Sequence, residues 1–178
     1  MSDKLSISGD EDGWQVFGKT PTGGNQRLFR SRAGWPPVRA YALENAMMRL
    51  RCVLREDQVG DDGMPRSTKD LDDYEDRLLD ALKAAGAEVY FIASITGDGN
   101  RDLFFTTRDP DDLRAAIKAA KTDVDTFKLQ IAPIGEGKAA FLDALSLSEV
   151  QVQVAANAGR VHDVSKLGGG FLGKLFKR

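Results

Sequence analysis

The sequence predicts an α+β protein with a ferredoxin-like centre. That centre is a βαββαβ antiparallel sheet with two helices on one face, extended by an amino-terminal β-hairpin and a carboxy-terminal extra strand. Three observations carry this expectation. Residues 87–107 read as two strands folded back around Gly97-Asp98-Gly99-Asn100, with Val89, Tyr90, Phe91, Ile92 and Ile95 suited to a pleated, buried surface. A helix-like segment flanks this hairpin on each side, and a further strand-like segment lies beyond each helix. The turn itself holds an Asp-Gly pair, which supplies the positive φ a tight hairpin needs.

Taken in order, residues 1–12 are polar and expected to be a flexible terminus. Trp14 and Val16 then alternate with polar neighbours, Pro21-Thr-Gly-Gly turns the chain, and Gln26 to Arg30 is extended again, giving the amino-terminal hairpin. Pro36 and Pro37 interrupt it, because a central ladder cannot use two residues without N–H groups. Met48, Leu50, Cys52 and Leu54 alternate with Arg49, Arg51, Val53 and Arg55, the period of a half-buried strand with a basic outer face.

The spacing of Leu71, Tyr74, Leu78 and Leu82 predicts a helix over residues 69–85, started at Ser67 or Thr68 and stopped by Gly86. After the central hairpin, Asp109-Pro110-Asp111-Asp112 opens a second helix with a cap, a proline at the first helical position and acids in the first turn. Phe127, Leu129 and Ile131 then alternate as the last strand of the centre, about residues 46–132. A short helix from Lys138 to Leu145 and an alternating edge strand from Ser148 to Ala155 follow. The domain reading is a single unit over residues 13–156, with a flexible, Gly-rich basic tail over 157–178.

Composition narrows the chemistry. A chain of 178 residues with net charge −2 and pI near 5.5 carries no global positive field to gather nucleic acid. Its one cysteine, Cys52, excludes an internal disulfide and a Cys-cluster metal site, and Cys52 is expected on a buried strand face. One histidine, His162, in an expected loop, makes a zinc site or a Ser-His-Asp triad hard to build. The amino terminus lacks an apolar run of signal-peptide length and no 18 apolar residues run together, so the expected setting is cytoplasmic with no transmembrane segment. No motif calls for a cofactor or a metal.

Gly63-Met64-Pro65, the helix from Leu71 to Leu78 carrying Glu75-Asp76, and Thr96-Gly97-Asp98-Gly99-Asn100-Arg101-Asp102-Leu103-Phe104-Phe105 together resemble the bacterial domain of unknown function 695 family. The likeness covers roughly residues 35–132. It implies a small α+β unit with no assigned activity. Where members carry an Asp-Pro-x-Trp-like segment after the last strand, this chain has Ala132-Pro133-Ile134.

Two opposed charge blocks supply the site candidates. Residues 56–80 hold ten acids against Arg66, Lys69 and Arg77, a net of −7. Asp72, Glu75 and Asp76 stand at i, i+3 and i+4 of the expected helix, close enough to share a cation or to be balanced by arginines from elsewhere. Residues 27–55 hold seven arginines against Glu44, a net of +6, and Arg49, Arg51 and Arg55 are expected to project from the sheet face away from the helices. Arg101 and Asp102 stand just past the turn, as a polar site or as cross-strand pairs. Gly97-Asp98-Gly99 is read as a hairpin turn, because a phosphate loop joins a strand to a helix. An RRM-type RNA surface fails for want of outward aromatics.

The tail supplies a basic, amphipathic stretch, Phe171, Leu172, Lys174, Leu175, Phe176 and Lys177, that fits a weak anchor on a membrane surface or a partner groove, or else a frayed end. The expectation is a non-catalytic protein-interaction or regulatory module with a protein partner. A small carboxylate-dependent, possibly metal-binding hydrolase and nucleic-acid binding through the arginine strand are the alternatives. Oligomeric state is left open.

Overall fold

The structure, a computed structural model, describes residues 13–146 and the backbone of 162–163. The expected edge strand at 148–155, the amino-terminal 12 residues and the tail anchor Phe171 to Lys177 lie outside the described residues.

The chain alternates strands and helices, and every strand pairing is antiparallel. The strands are β1 (Gln15–Lys19), β2 (Arg27–Ser31), β3 (Ala46–Val53), β4 (Val89–Gly97), β5 (Asn100–Thr107), β6 (Lys128–Ile134) and β7 (His162–Asp163). The helices are α1 (Pro36–Glu44), α2 (Lys69–Ala85), α3 (Pro110–Ala120) and α4 (Lys138–Ala144). One sheet runs β6-β3-β5-β4-β2-β1-β7. Its full order therefore differs from that of a four-stranded ferredoxin-like sheet, because the β1–β2 hairpin joins the edge of β4 through Leu28↔Thr96 to Ser31↔Ala93 instead of folding over a face.

Helices cover both faces, not one. Met48, Leu50 and Cys52 of β3 pack under α2 and α3 with Leu71, Tyr74, Leu78, Leu82 and Leu113. Met47 turns to the opposite face, where Phe17, Phe29, Ile92 and Phe104 meet Val38 and Ala42 of α1 and Leu142 of α4. The period of two in β3 is thus doubly apolar where α1 and α4 lie, and basic only beyond them.

Helix α1 escaped the sequence reading. Pro36 and Pro37 break a strand, yet they also occupy a first helical turn, whose N–H groups have no intrahelical acceptor. The helix's far end is sealed from a distance: the Lys138 ammonium donates to the carbonyls of Leu43 at 3.2 Å and of Asn45. Lys19 does the same for α4, donating to Ala144 O at 2.7 Å, and burial lowers its pKa.

His162, expected in a loop, pairs in β7 with Val16 of β1. In β4 a bulge between Phe91 and Ala93 lets Phe91 face α2 while Ile92 and Ala93 face the other layer. Among the described residues no helix is long and apolar enough to cross a membrane.

Candidate functional site

The residues quoted for the family resemblance converge in space. The two-residue turn Asp98-Gly99 has φ of 50° and 72°, the left-handed pair a tight hairpin between right-twisted strands requires. Gly63, at φ 78°, lies against it. A Cβ there would stand 3.2 Å from the Asp98 nitrogen and 3.0 Å from the Asn25 side chain. Gly99 N–H donates to Gly63 O at 2.9 Å, and Leu54 N–H donates to Gly99 O at 2.9 Å. The glycines are thus needed for backbone docking of one loop on another, with Arg27 Nε holding Asp98 at 2.7 Å.

This docked turn sets the start of β5 and places Arg101 beneath α2. Arg101 is fully buried. Its Nη1 donates to Asp72 at 2.7 Å and stands 3.7 Å from Glu75, and its Nε donates to Thr96 Oγ1 at 3.2 Å. Asp72 also accepts from Thr68 Oγ1 at 2.8 Å, so Thr68 serves the cluster instead of capping α2.

Glu75, 4% exposed, accepts from Arg30 of β2. Arg30 in turn lies against both the Trp14 and Phe91 rings, its guanidinium carbon 5.2 Å and 5.1 Å from their centres. A continuous ionic chain therefore runs from Thr68 through Asp72, Arg101 and Glu75 to Arg30, tying α2 to β5, β4 and β2. Charges withdrawn from water are tolerated there because each cation meets a carboxylate.

Of the sequence candidates, Asp72, Glu75 and Arg101 are brought together. Asp76 stays exposed on the flank of α2. Partial desolvation, then the like charges of Glu75, Asp72 and Asp80, push its carboxyl above the ordinary value of 3.8, with Arg30 pulling the other way. A raised carboxyl pKa means the folded chain holds that proton longer than the unfolded one. Its stabilising contribution is complete below 3.8 and is lost as pH rises through the raised value. Asp76→Asn is therefore expected to raise the melting temperature at pH 7 and to match the wild type well below the carboxylate range. Equal melting temperatures at both ends would remove the like-charge strain.

Arg51 and Asp102 form a bidentate cross-strand pair at 2.6 and 2.7 Å on the face away from α2. Arg55 lies beyond β3 and pairs with Asp57 at 3.0 Å. Arg49 is half-buried, and its Nε has no hydrogen-bond partner among the described residues. The face these arginines share, expected to be free of helices, is covered in part by α1 and α4.

Arg101, Leu103 and Phe105, the positions an RRM would use for bases, lie buried beneath α2. Cys52 is buried with its thiol pushed up to about 12 by desolvation, an inert group at physiological pH. Among the described residues no three Cys, His, Asp or Glu side chains are grouped to hold a cation. Asp72 and Glu75 are turned instead to arginines.

Sequence reasoning missed Arg30, Thr68 and Thr96 as members of the cluster. Arg30 lies on the same face of β2 as Leu28, a spacing that could have marked it as inward-facing, but only the hairpin's docking on β4 brings it to Glu75.

A family model described as "Family of unknown function (DUF695)" matches residues 12–133. No curated protein and no solved structure matches the chain.

Proposed function

We propose that this chain, which belongs to the DUF695 family of unknown function, is a non-catalytic protein-interaction module that receives a basic segment of a protein partner on the flank of α2. The observation that carries the reading is the charge left over once the internal pairs are made. Asp72 and Glu75 are spent on Arg101 and Arg30, whereas Asp73, Asp76 and Asp80 remain exposed at i, i+3 and i+7 of one helix face. Asp73 has Lys69 beside it, but Asp76 is held at a raised pKa by partial desolvation and then by the like charges of Glu75, Asp72 and Asp80. A cation brought by a partner relieves that repulsion, and the gain is electrostatic and salt-sensitive.

The arginines meanwhile offer little free charge to an anion. Arg27, Arg30, Arg39, Arg51 and Arg55 each face a carboxylate. This ranks nucleic-acid binding below the protein partner. A second reading, a carboxylate-dependent hydrolase, is favoured by one observation, the raised Asp76 carboxyl beside the buried Glu75. The resemblance supports a bacterial source, and the composition, with its single cysteine, supports a cytoplasmic setting. The adjacency of β6, β3, β5 and β4, in a chain order βαββαβ, supports a ferredoxin-like ancestry for the centre.

The test is a pull-down with the full chain beside an Asp76→Asn/Asp80→Asn variant, at low and at raised salt. Basic proteins retained by the wild type, released by salt and lost in the variant are the expected result. Equal retention by both forms would sink the acidic-flank reading. Turnover of an ester or phosphate substrate that disappears in Asp76→Asn would move the assignment to the hydrolase.

A further inference from the structure

One side of the sheet ends in a strand whose backbone groups are laid out for a second strand. β6 pairs with β3 from Ile134↔Met47 to Lys128↔Val53 without a shift. Pro133 sits inside this unbroken ladder opposite Met48 and has no N–H to give. In an antiparallel ladder that makes it a position turned away from β3, and alternation puts Ile131 and Leu129 in the same class. Their N–H and C=O groups, with the Pro133 carbonyl, point outward, and nothing among the described residues hydrogen-bonds to them. The next outward carbonyl, of Phe127, is taken by Lys121 at 3.4 Å.

The side chains on this edge repeat the pattern. Leu129, Ile131 and Pro133 share the face on which α2 and α3 lie. Ile131 is 38% exposed, one of three large hydrophobics so exposed among the described residues. The opposite edge, at β1, is closed in part by β7.

We propose that β6 is a homodimer edge, pairing antiparallel with β6 of a second copy about a two-fold axis at Ile131. Among registers whose axis passes through an outward-facing residue, backbone chemistry selects Ile131. Centred on Ile131, the two isoleucines exchange both backbone hydrogen bonds, and each Leu129 N–H finds the Pro133 carbonyl of the second copy. Centring on Pro133 would set two prolines face to face with no donor, and centring on Leu129 would call on the Phe127 carbonyl that Lys121 already holds.

Charge selects the same orientation. Antiparallel pairing sets Lys128 opposite Ile134 of the second copy, whereas parallel pairing would set Lys128 against Lys128. Leu129, Ile131 and Pro133 of both copies then form one apolar strip. The second copy is also the occupant that arrives as a preformed strand, so its backbone needs no ordering on docking. A single pair of seven-residue strands buries less than a standard interface, so the dimer is weak and concentration-dependent.

The experiment measures the mass of the full chain by sedimentation from micromolar to millimolar concentration, with hydrogen exchange at both ends. Expected are a shift toward dimer mass and slowed exchange of the Leu129 and Ile131 amides at high concentration. Ile131→Lys sets two cations against each other on the axis at an exposed edge position. It should stay at monomer mass while keeping the wild-type melting temperature. A chain that remains monomeric at millimolar concentration overturns the proposal, as does a dimer that survives in Ile131→Lys or one whose Leu129 and Ile131 amides exchange no more slowly. The exchange measurement stands on the wild type alone, should the variant fail to fold.

Discussion

Arg101→Leu is expected to cost about 3–5 kcal/mol of folding stability, the range for breaking a buried ion pair by removing one partner. At roughly 2–4 °C per kcal/mol for a chain of this size, the melting temperature should fall by about 6–20 °C. The cost comes from what is left behind. Asp72 keeps only Thr68, and Glu75 keeps only Arg30, both carboxylates facing a side chain that can no longer donate. Leucine fills much of the vacated volume, so a large loss reports the charge and not a cavity. Neutralising the orphan in Arg101→Leu/Asp72→Asn should recover part of it, and the shortfall from additivity measures the pair. A loss within about 0.5 kcal/mol, as at ordinary surface positions, would mean the cluster does not hold α2 to the sheet.

Phe91→Ala should lose a comparable amount, about 3–5 kcal/mol, for a different reason. Phe91 is fully buried at the bulge of β4, with ring centres 5.4 Å from Trp14 and 5.1 Å from Phe105. Truncation removes its transfer free energy, opens a cavity among residues that β4 cannot bring closer, and takes away one of the rings against which Arg30 lies. Urea unfolding should show a lower midpoint with an unchanged slope. Phe91→Leu, which keeps most of the volume, should lose markedly less. Equal losses for alanine and leucine would point to the aromatic contact with Arg30 rather than to the cavity.

Much of the scaffold could be read from residue patterns because those patterns are local. Leu71, Tyr74, Leu78 and Leu82 give α2 by their spacing, and Asp109, whose side chain accepts from Asp111 N–H at 2.9 Å, starts α3 as its cap. The hairpin at Asp98-Gly99 follows from the φ values its turn demands. Each depends on residues a few positions apart. Helix α1 was hidden for an instructive reason. Proline forbids a central strand and also suits a first helical turn, and local sequence does not say which, because the choice rests on what Val38 and Ala42 are packed against.

The site divides along the same line. Asp72, Glu75 and Asp76 could be singled out by helical spacing, and Arg101 by its place after the turn. Their roles could not. Asp72 and Glu75 differ from Asp76 in burial and in the arginines they meet, and for Glu75 this was decided when the β1–β2 hairpin docked beside β4 and delivered Arg30. Arg51 and Asp102 likewise became a pair through the β3–β5 register, across a separation that periodicity cannot bridge. By itself, then, the sequence determined the elements, the turn chemistry and which residues were charged, since these rest on backbone preference and short-range spacing. Only the tertiary structure decided which carboxylates meet arginines, which one is left facing water, and which strand edge is unpaired among the described residues, because each depends on contacts between segments far apart in the chain.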